Sequence, residues 1–255
     1  MEILRAQPTA LVKDLADRLG ASSSSIRRDL NELESIGLVQ RIFGGVILDP
    51  GAAQEPPFQI RQVIYSKEKD SIGKAAAAWI QNGDVVFIDG GTTTPFIIPY
   101  LLGHLGITII TCGVNVATAI PDGKDNISVI LVGGELLVKT QSISGPMALE
   151  SLRIYALKCN KAIIACTAVS AELGATNRTL ERIPLKRMAI EISNETAMVA
   201  DGSKIGKGAL GNICPIETLQ LLFTDCSAPP KDLDRIRDCG VKVVVADENL
   251  REKEV

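Results

Sequence analysis

Seven short apolar runs, each bounded by turn residues, follow one another from Asp84 onward and narrow the fold more than any other feature of the chain. They are Val85–Ile88, Ile107–Ile110, Ile127–Val132, Lys161–Ala165, Thr196–Ala200, Leu219–Phe223 and Lys242–Val245. A strand with water on one face alternates apolar and polar residues, whereas a continuous apolar run suits a strand covered on both faces, as in a parallel sheet. Segments of helical pattern separate the runs. The larger part of the chain therefore reads as α/β, with a mostly parallel sheet.

Before Pro50 the pattern changes to short helices. Val12, Leu15, Ala16 and Leu19 recur at i, i+3, i+4 and i+7, so they share one helix face, and Gly20 can end that helix. Ser22 then offers an N-cap hydroxyl to a second helix whose inward face carries Ile26, Leu30 and Leu33. Two amphipathic helices joined by a tight turn form a helix-turn-helix. The outward face of the second helix carries Arg27 and Arg28 behind the serine run Ser22, Ser23, Ser24 and Ser25. Arginine can pair bidentately with guanine, and serine hydroxyls and a helix amino terminus suit phosphates or base edges. Those residues predict contact with double-stranded DNA. The stretch from Gly37 to Val46 reads as a hairpin, or wing, with Arg41 available to the backbone or minor groove. A solvated helix face balanced by Asp29, Glu32 and Glu34 is the plainer reading of two arginines taken alone.

Prolines and small residues between Asp49 and Pro57 can neither continue a helix nor sit in a central strand. The expected organisation is a winged helix-turn-helix head over residues 1–48, a linker over 49–57 and a sensor domain over 58–255, opening with a helix from about Phe58 to Gln81. The formal charge of −3 and pI near 5.4 provide no whole-molecule attraction to nucleic acid, so DNA contact must come from the local cluster. No apolar run approaches the roughly 18–20 residues that span a bilayer, and the amino terminus lacks a signal-peptide pattern, so a cytoplasmic protein without a membrane partner is expected. Six scattered cysteines without a C-x-x-C pair, with His104 as the single histidine, point to neither a metal site nor disulfides nor a cofactor.

Ligands of open parallel sheets sit beyond the carboxyl ends of the strands, where this chain concentrates glycine and polar residues. The loop after the first run contains Asp89, Gly90, Gly91, Thr92 and Thr93: its amides, hydroxyls and following helix suit a phosphate. Lys204 could neutralise remaining charge, and Asp89, Asn115 and Asp201 could fix sugar hydroxyls. Gly206–Gly211 fits G-x-G-x-x-G, but it neither directly follows a strand nor opens a helix, which argues against a dinucleotide site.

The stretch "LADRLGASSSSIRRDLNELESIGLVQRIFGGV" resembles the DNA-binding head of the DeoR family. The stretches "FIDGGTTT", "TCGVNVA", "VGGELL", "SISGPMA", "LERIPLKRMAI" and "VADGSKIG" resemble that family's effector domain, which is similar to ribose-5-phosphate isomerase. The chain departs from the family in a late start to its first helix, in Leu11 where serine usually caps (Thr9 being the substitute cap), and in Gln40 and Phe43 where arginine and histidine are common. The resemblance implies a bacterial transcription regulator, usually a repressor, of a carbohydrate or nucleoside catabolism operon, controlled by a phosphorylated sugar and working as a homo-oligomer. It also implies that Asp89, Gly91, Thr92, Thr93, Asn115, Gly134, Lys186 and Lys204 surround the effector. The alternative is a sugar-phosphate isomerase or deaminase-like enzyme drawing on Asp89, Glu135, Glu181 or Asp201, but nothing in the sequence pairs an acid with a base. No catalytic role is therefore expected.

Overall fold

The structure, a computed structural model, describes residues 3–4, 7, 9–35, 39–48, 58–63, 65–154 and 159–247. The chain forms two compact units, Met1–Tyr65 and Ser66–Val255. The expected linker over 49–57 lies outside the described residues, as do Gly37 and Leu38 of the expected wing.

In the first unit, β1 (Thr9–Leu11) leads into α1 (Val12–Leu19) and α2 (Ser23–Ser35), followed by β2 (Val39–Ile42), β3 (Gly45–Leu48) and α3 (Phe58–Val63). The stripe foreseen on α1 packs Val12, Leu15 and Ala16 against Ile26 and Leu30 of α2, with Val39 and Val46 of the hairpin closing the core. Gly20 ends α1 in the left-handed conformation at φ 61°, and its amide donates to the Ala16 carbonyl. Thr9 does not cap α1. It is buried in β1, which pairs antiparallel with β3, and the first amide of the helix, on Val12, donates instead to the Gly44 carbonyl at 2.8 Å. The wing carbonyl thus satisfies the first amide of α1, while no side chain caps the helix.

The helix expected from Phe58 to Gln81 is two helices, α3 and α4 (Ser66–Trp79). Between them Tyr65 adopts φ 55°, a left-handed conformation that a right-handed helix cannot carry through.

The second unit continues with β4 (Val85–Ile88), α5 (Ile98–Leu101), β5 (Ile107–Thr111), α6 (Val114–Ala117), β6 (Ile127–Leu131), β7 (Glu135–Leu137), β8 (Ser142–Ser144) and α7 (Pro146–Ile154). After it come β9 (Cys159–Ala165), β10 (Ala168–Ser170), β11 (Gly174–Asn177), α8 (Ile183–Glu191), β12 (Ser193–Val199), β13 (Gly211–Cys214), β14 (Leu221–Asp225), α9 (Pro230–Asp238) and β15 (Lys242–Ala246). All seven apolar runs enter one parallel sheet, in the order β6-β5-β4-β9-β12-β14-β15. Side chains alternate between its faces. Val86 and Ile88 pack with Ile72 and Ala76 of α4 and Leu101 of α5, while Phe87 packs on the opposite face with Leu152 of α7 and Ala189 of α8.

Strand order locates the site. The chain steps from β4 outward to β5 and β6, then returns to the other side of β4 with β9 and proceeds outward through β12, β14 and β15. The order reverses between β4 and β9, and a crevice beyond the carboxyl ends of that pair is where a doubly wound sheet binds ligands. A β7–β8 hairpin and an antiparallel β10-β11-β13 sheet complete the unit.

Candidate functional site

The outward face of α2 is built as its sequence implies. The Ser25 amide donates to the Ser22 hydroxyl at 3.1 Å, which caps the helix, and Ser24 Oγ lies 2.8 Å from the same hydroxyl. Ile26 and Leu30 are buried, whereas Ser22, Ser23, Ser24, Ser25, Arg27 and Arg28 are all exposed. Arg41 is different. Its amide donates to Glu34 Oε1 at 2.9 Å and its guanidinium to Asn31 Oδ1, so this half-buried arginine braces the wing against α2.

At the reversal between β4 and β9, Asp89 follows β4 and is 1% exposed. Its Oδ2 accepts from the Ala165 amide at the end of β9 at 3.1 Å and from Lys186 Nζ; its Oδ1 lies 3.6 Å from Arg182 Nη2 and accepts the Cys112 thiol at 3.4 Å. Lys186 also donates to the Ala165 carbonyl at 2.8 Å, and Arg182 to the Gly90 carbonyl. One buried carboxylate therefore faces two buried cations, which leaves positive charge in excess. Burial pushes Lys186 below the ordinary lysine value, Asp89 opposes the shift, and Arg182 adds to it. Helix α8 carries the lysine into the site, where it is 2% exposed.

Beside this cluster the turn after Asp89 is buried from Gly90 to Thr94. Gly90 is closely packed: a Cβ there would sit 3.1 Å from the Gly113 Cα and 3.0 Å from the Ser142 Cβ. Asn115 donates its amide to the Gly91 carbonyl at 2.6 Å and so ties the β5 loop to this turn. Three buried acceptors here, Thr93 Oγ1, Thr94 Oγ1 and Asn115 Oδ1, have no partner among the described residues. Buried polar atoms without partners are uncommon, and such a group in a crevice suits a polar ligand.

A second cluster follows β12. Asp201 is buried, pairs with Lys204 at 3.3 Å and accepts the Ser203 hydroxyl. Burial works to raise the Asp201 carboxyl, but the Lys204 charge and the Ser203 hydroxyl outweigh it and hold the group below its usual value. Cys166, just after β9, feels both Lys186 and Lys204 and so marks where the two clusters approach. Burial pushes the thiols of Cys112 and Cys166 up to about 12. They stay protonated and unreactive at neutral pH. Gly134 is exposed at the β6 edge, and the single histidine, His104, lies 3.2 Å from the Ile80 carbonyl at the opposite, amino-terminal edge of the sheet.

Sequence reading missed Arg182 and Thr94. Arg182 stands four residues before Lys186, a spacing that places both on one helical face, and Thr94 continues the threonine run. Gly206–Gly211 opens no helix; strand β13 begins at its last residue. The six cysteines are free thiols.

Residues 1–50 match the DeoR-like helix-turn-helix domain, and residues 65–226 match the DeoR C terminal sensor domain. The chain belongs to the DeoR family. Among relatives of this DeoR-family transcriptional regulator, the uncharacterized HTH-type transcriptional regulator YulB of Bacillus subtilis is 31% identical over 95% of this chain and 93% of its own length. The glycerol-3-phosphate regulon repressor of Escherichia coli K12 is 29% identical, with 95% of each chain covered. Ribose 5-phosphate isomerase A of Neisseria gonorrhoeae superposes with a TM-score of 0.37 at 17% identity, over 54% of this chain and 53% of that one. A score that low carries no argument. Among the described residues, no helix is long and apolar enough to cross a membrane.

Proposed function

We propose that this regulator is a cytoplasmic repressor of a carbohydrate-catabolism operon, and that a phosphorylated sugar bound beyond β4 and β9 changes its grip on operator DNA. The observation that carries the reading is the excess of buried positive charge around Asp89, set beside three unpartnered buried acceptors at the strand reversal. An anion balances the charge, and the hydroxyls of a sugar satisfy the acceptors. A relative named for the regulon of glycerol-3-phosphate, itself a phosphorylated polyol, supports the same ligand class.

The roles divide by exposure. Asp89 is fully engaged by internal partners and acts as a positioning residue that holds Lys186 and Arg182. The turn Gly90-Gly91-Thr92-Thr93 receives the phosphate, Asn115 and Gly134 border the sugar, and Lys204, the most exposed of these cations, completes the charge balance with Asp201 behind it. On DNA, Arg27, Arg28 and the Ser22–Ser25 hydroxyls make the contacts. Two heads in a homo-oligomer read half-sites spaced by a helical turn or a multiple of it. The chain is not an enzyme in this reading: the thiols are held protonated, the histidine lies at the far edge, and Asp89 is locked among cations.

A thermal-shift screen of phosphorylated sugars against their parent sugars tests the proposal, since a ligand that binds only the folded state raises the melting temperature. A phosphorylated member should stabilise the chain, and Lys204→Ala should weaken that effect. Equal responses to sugar and sugar phosphate would count against the site.

A further inference from the structure

Phe43 is 94% exposed, the highest value of any large apolar side chain among the described residues. It occupies the tip of the wing. Ile42 pairs with Gly45, so Phe43 and Gly44 form a two-residue loop, with Gly44 at φ 74°. The backbone around the ring is pinned on several sides. The Gly44 carbonyl accepts the first amide of α1, and β1 passes so close that a Cβ on Gly45 would meet the Ala10 carbonyl at 2.7 Å. Arg41, two residues before the ring, is bonded through its amide to Glu34 and through its guanidinium to Asn31, both on α2. The ring is therefore carried at a fixed place relative to the arginine face of α2.

The side chains of the wing tip itself are apolar or absent. Ile42, Phe43, Gly44, Gly45 and Val46 include no charge, and the guanidinium of Arg41, two residues before the ring, donates back to Asn31 of α2. An uncharged tip offers a phosphate no counter-charge, only backbone amides. A rigidly held aromatic ring can wedge between base pairs from the minor groove, and it does so at least cost where a pyrimidine–purine step unstacks easily. We propose that Phe43 is such a wedge: with α2 in the major groove, the ring enters the adjacent minor groove, partly unstacks one flexible step and kinks the operator there. The proposal rests on the DNA-binding reading of α2 and adds a specificity determinant that contacts no phosphate.

The test uses the full chain. Duplexes enriched from a random 40-base-pair library are rebuilt with 2-aminopurine at successive steps beside the half-site, and binding is followed by anisotropy for the unsubstituted chain, Phe43→Ala and Phe43→Trp. The unsubstituted chain should brighten 2-aminopurine at one step. Phe43→Ala should lose that signal and about tenfold in affinity, on the order of what burying one aromatic side chain brings, with the slope of log affinity against log salt unchanged because no phosphate contact is lost. Phe43→Trp should keep the signal. At 94% exposure the truncation should leave the melting temperature unchanged. An alanine variant that binds the enriched duplex as tightly and leaves 2-aminopurine equally unstacked overturns the wedge alone. The wedge is also overturned if the substitution shifts the association state in light scattering while DNA affinity stays the same. If the unsubstituted chain enriches no duplex, the DNA-binding reading itself fails, and the wedge with it.

Discussion

Replacing Asp89 with asparagine keeps the shape of the side chain and removes the one charge that holds Lys186 and Arg182 in the core. The lysine and arginine side chains are 2% and 9% exposed, so water cannot take over as counter-charge. Removing one partner of a buried pair costs about 3–5 kcal/mol. For a unit the size of Ser66–Val255, each kcal/mol shifts the melting temperature by about 2–4 °C, which gives a fall of about 6–20 °C. Lys186 offers an escape, since burial already pushes its folded-state value below 10.5. A lysine with a depressed folded value binds fewer protons folded than unfolded, so stability rises with pH through that window. Without Asp89, which opposes the shift, the lysine is depressed further, so the deficit of Asp89→Asn should shrink as pH rises from the variant's lowered lysine value to that of the unsubstituted chain, both below 10.5. Calorimetry of the full chain at several pH values reads both effects. A double variant, Asp89→Asn with Lys186→Met, should recover part of the loss, because the stranded charge is gone. A fall of less than about 2 °C at neutral pH, flat across pH, would refute the reasoning built on these coupled charges.

Arg27→Ala or Arg28→Ala should weaken operator binding by about 1–3 kcal/mol if the side chain reads a base, and flatten the salt dependence if it holds a phosphate; anisotropy titrations at several salt concentrations separate the two. Asp201→Asn should lower the melting temperature at neutral pH, where the depressed carboxyl contributes stability, and the gap from the unsubstituted chain should close as pH falls below 3.8, the unfolded value, and through the folded one. Gly134→Ala should cost about 1–3 kcal/mol in thermal unfolding, because φ is 145° there and a Cβ would stand 2.9 Å from the Ser144 carbonyl.

The sheet was legible because central strands such as Val85–Ile88 are apolar and buried along their length, while the edge strand β6 was legible from its apolar residues although most of it is exposed. The face of α2 was legible for a similar reason: Ile26 and Leu30 fix which side is inward, and Arg27 and Arg28 fall on the other. What depended on distant pairing was not. β1 has three residues and exists because β3 offers it an edge, and the amide of Val12 is satisfied by a carbonyl some thirty residues away. Tyr65 interrupts a helical pattern with a backbone conformation its side chain does not announce. At the proposed anion site the glycines, Asn115 and Lys186 could be named from the sequence, but the locking of Asp89 between Arg182, Lys186 and the Ala165 amide is a product of strand order.

The most direct measurement follows the anisotropy of a labelled operator duplex while the full chain is titrated with and without candidate sugar phosphates and their parent sugars. The predicted result is a change in Kd of about 5–150-fold produced by a phosphorylated sugar and not by its parent. Operator affinity that no sugar phosphate alters, or that the parent sugar alters equally, would contradict control of α2 by an anion held at the strand tips.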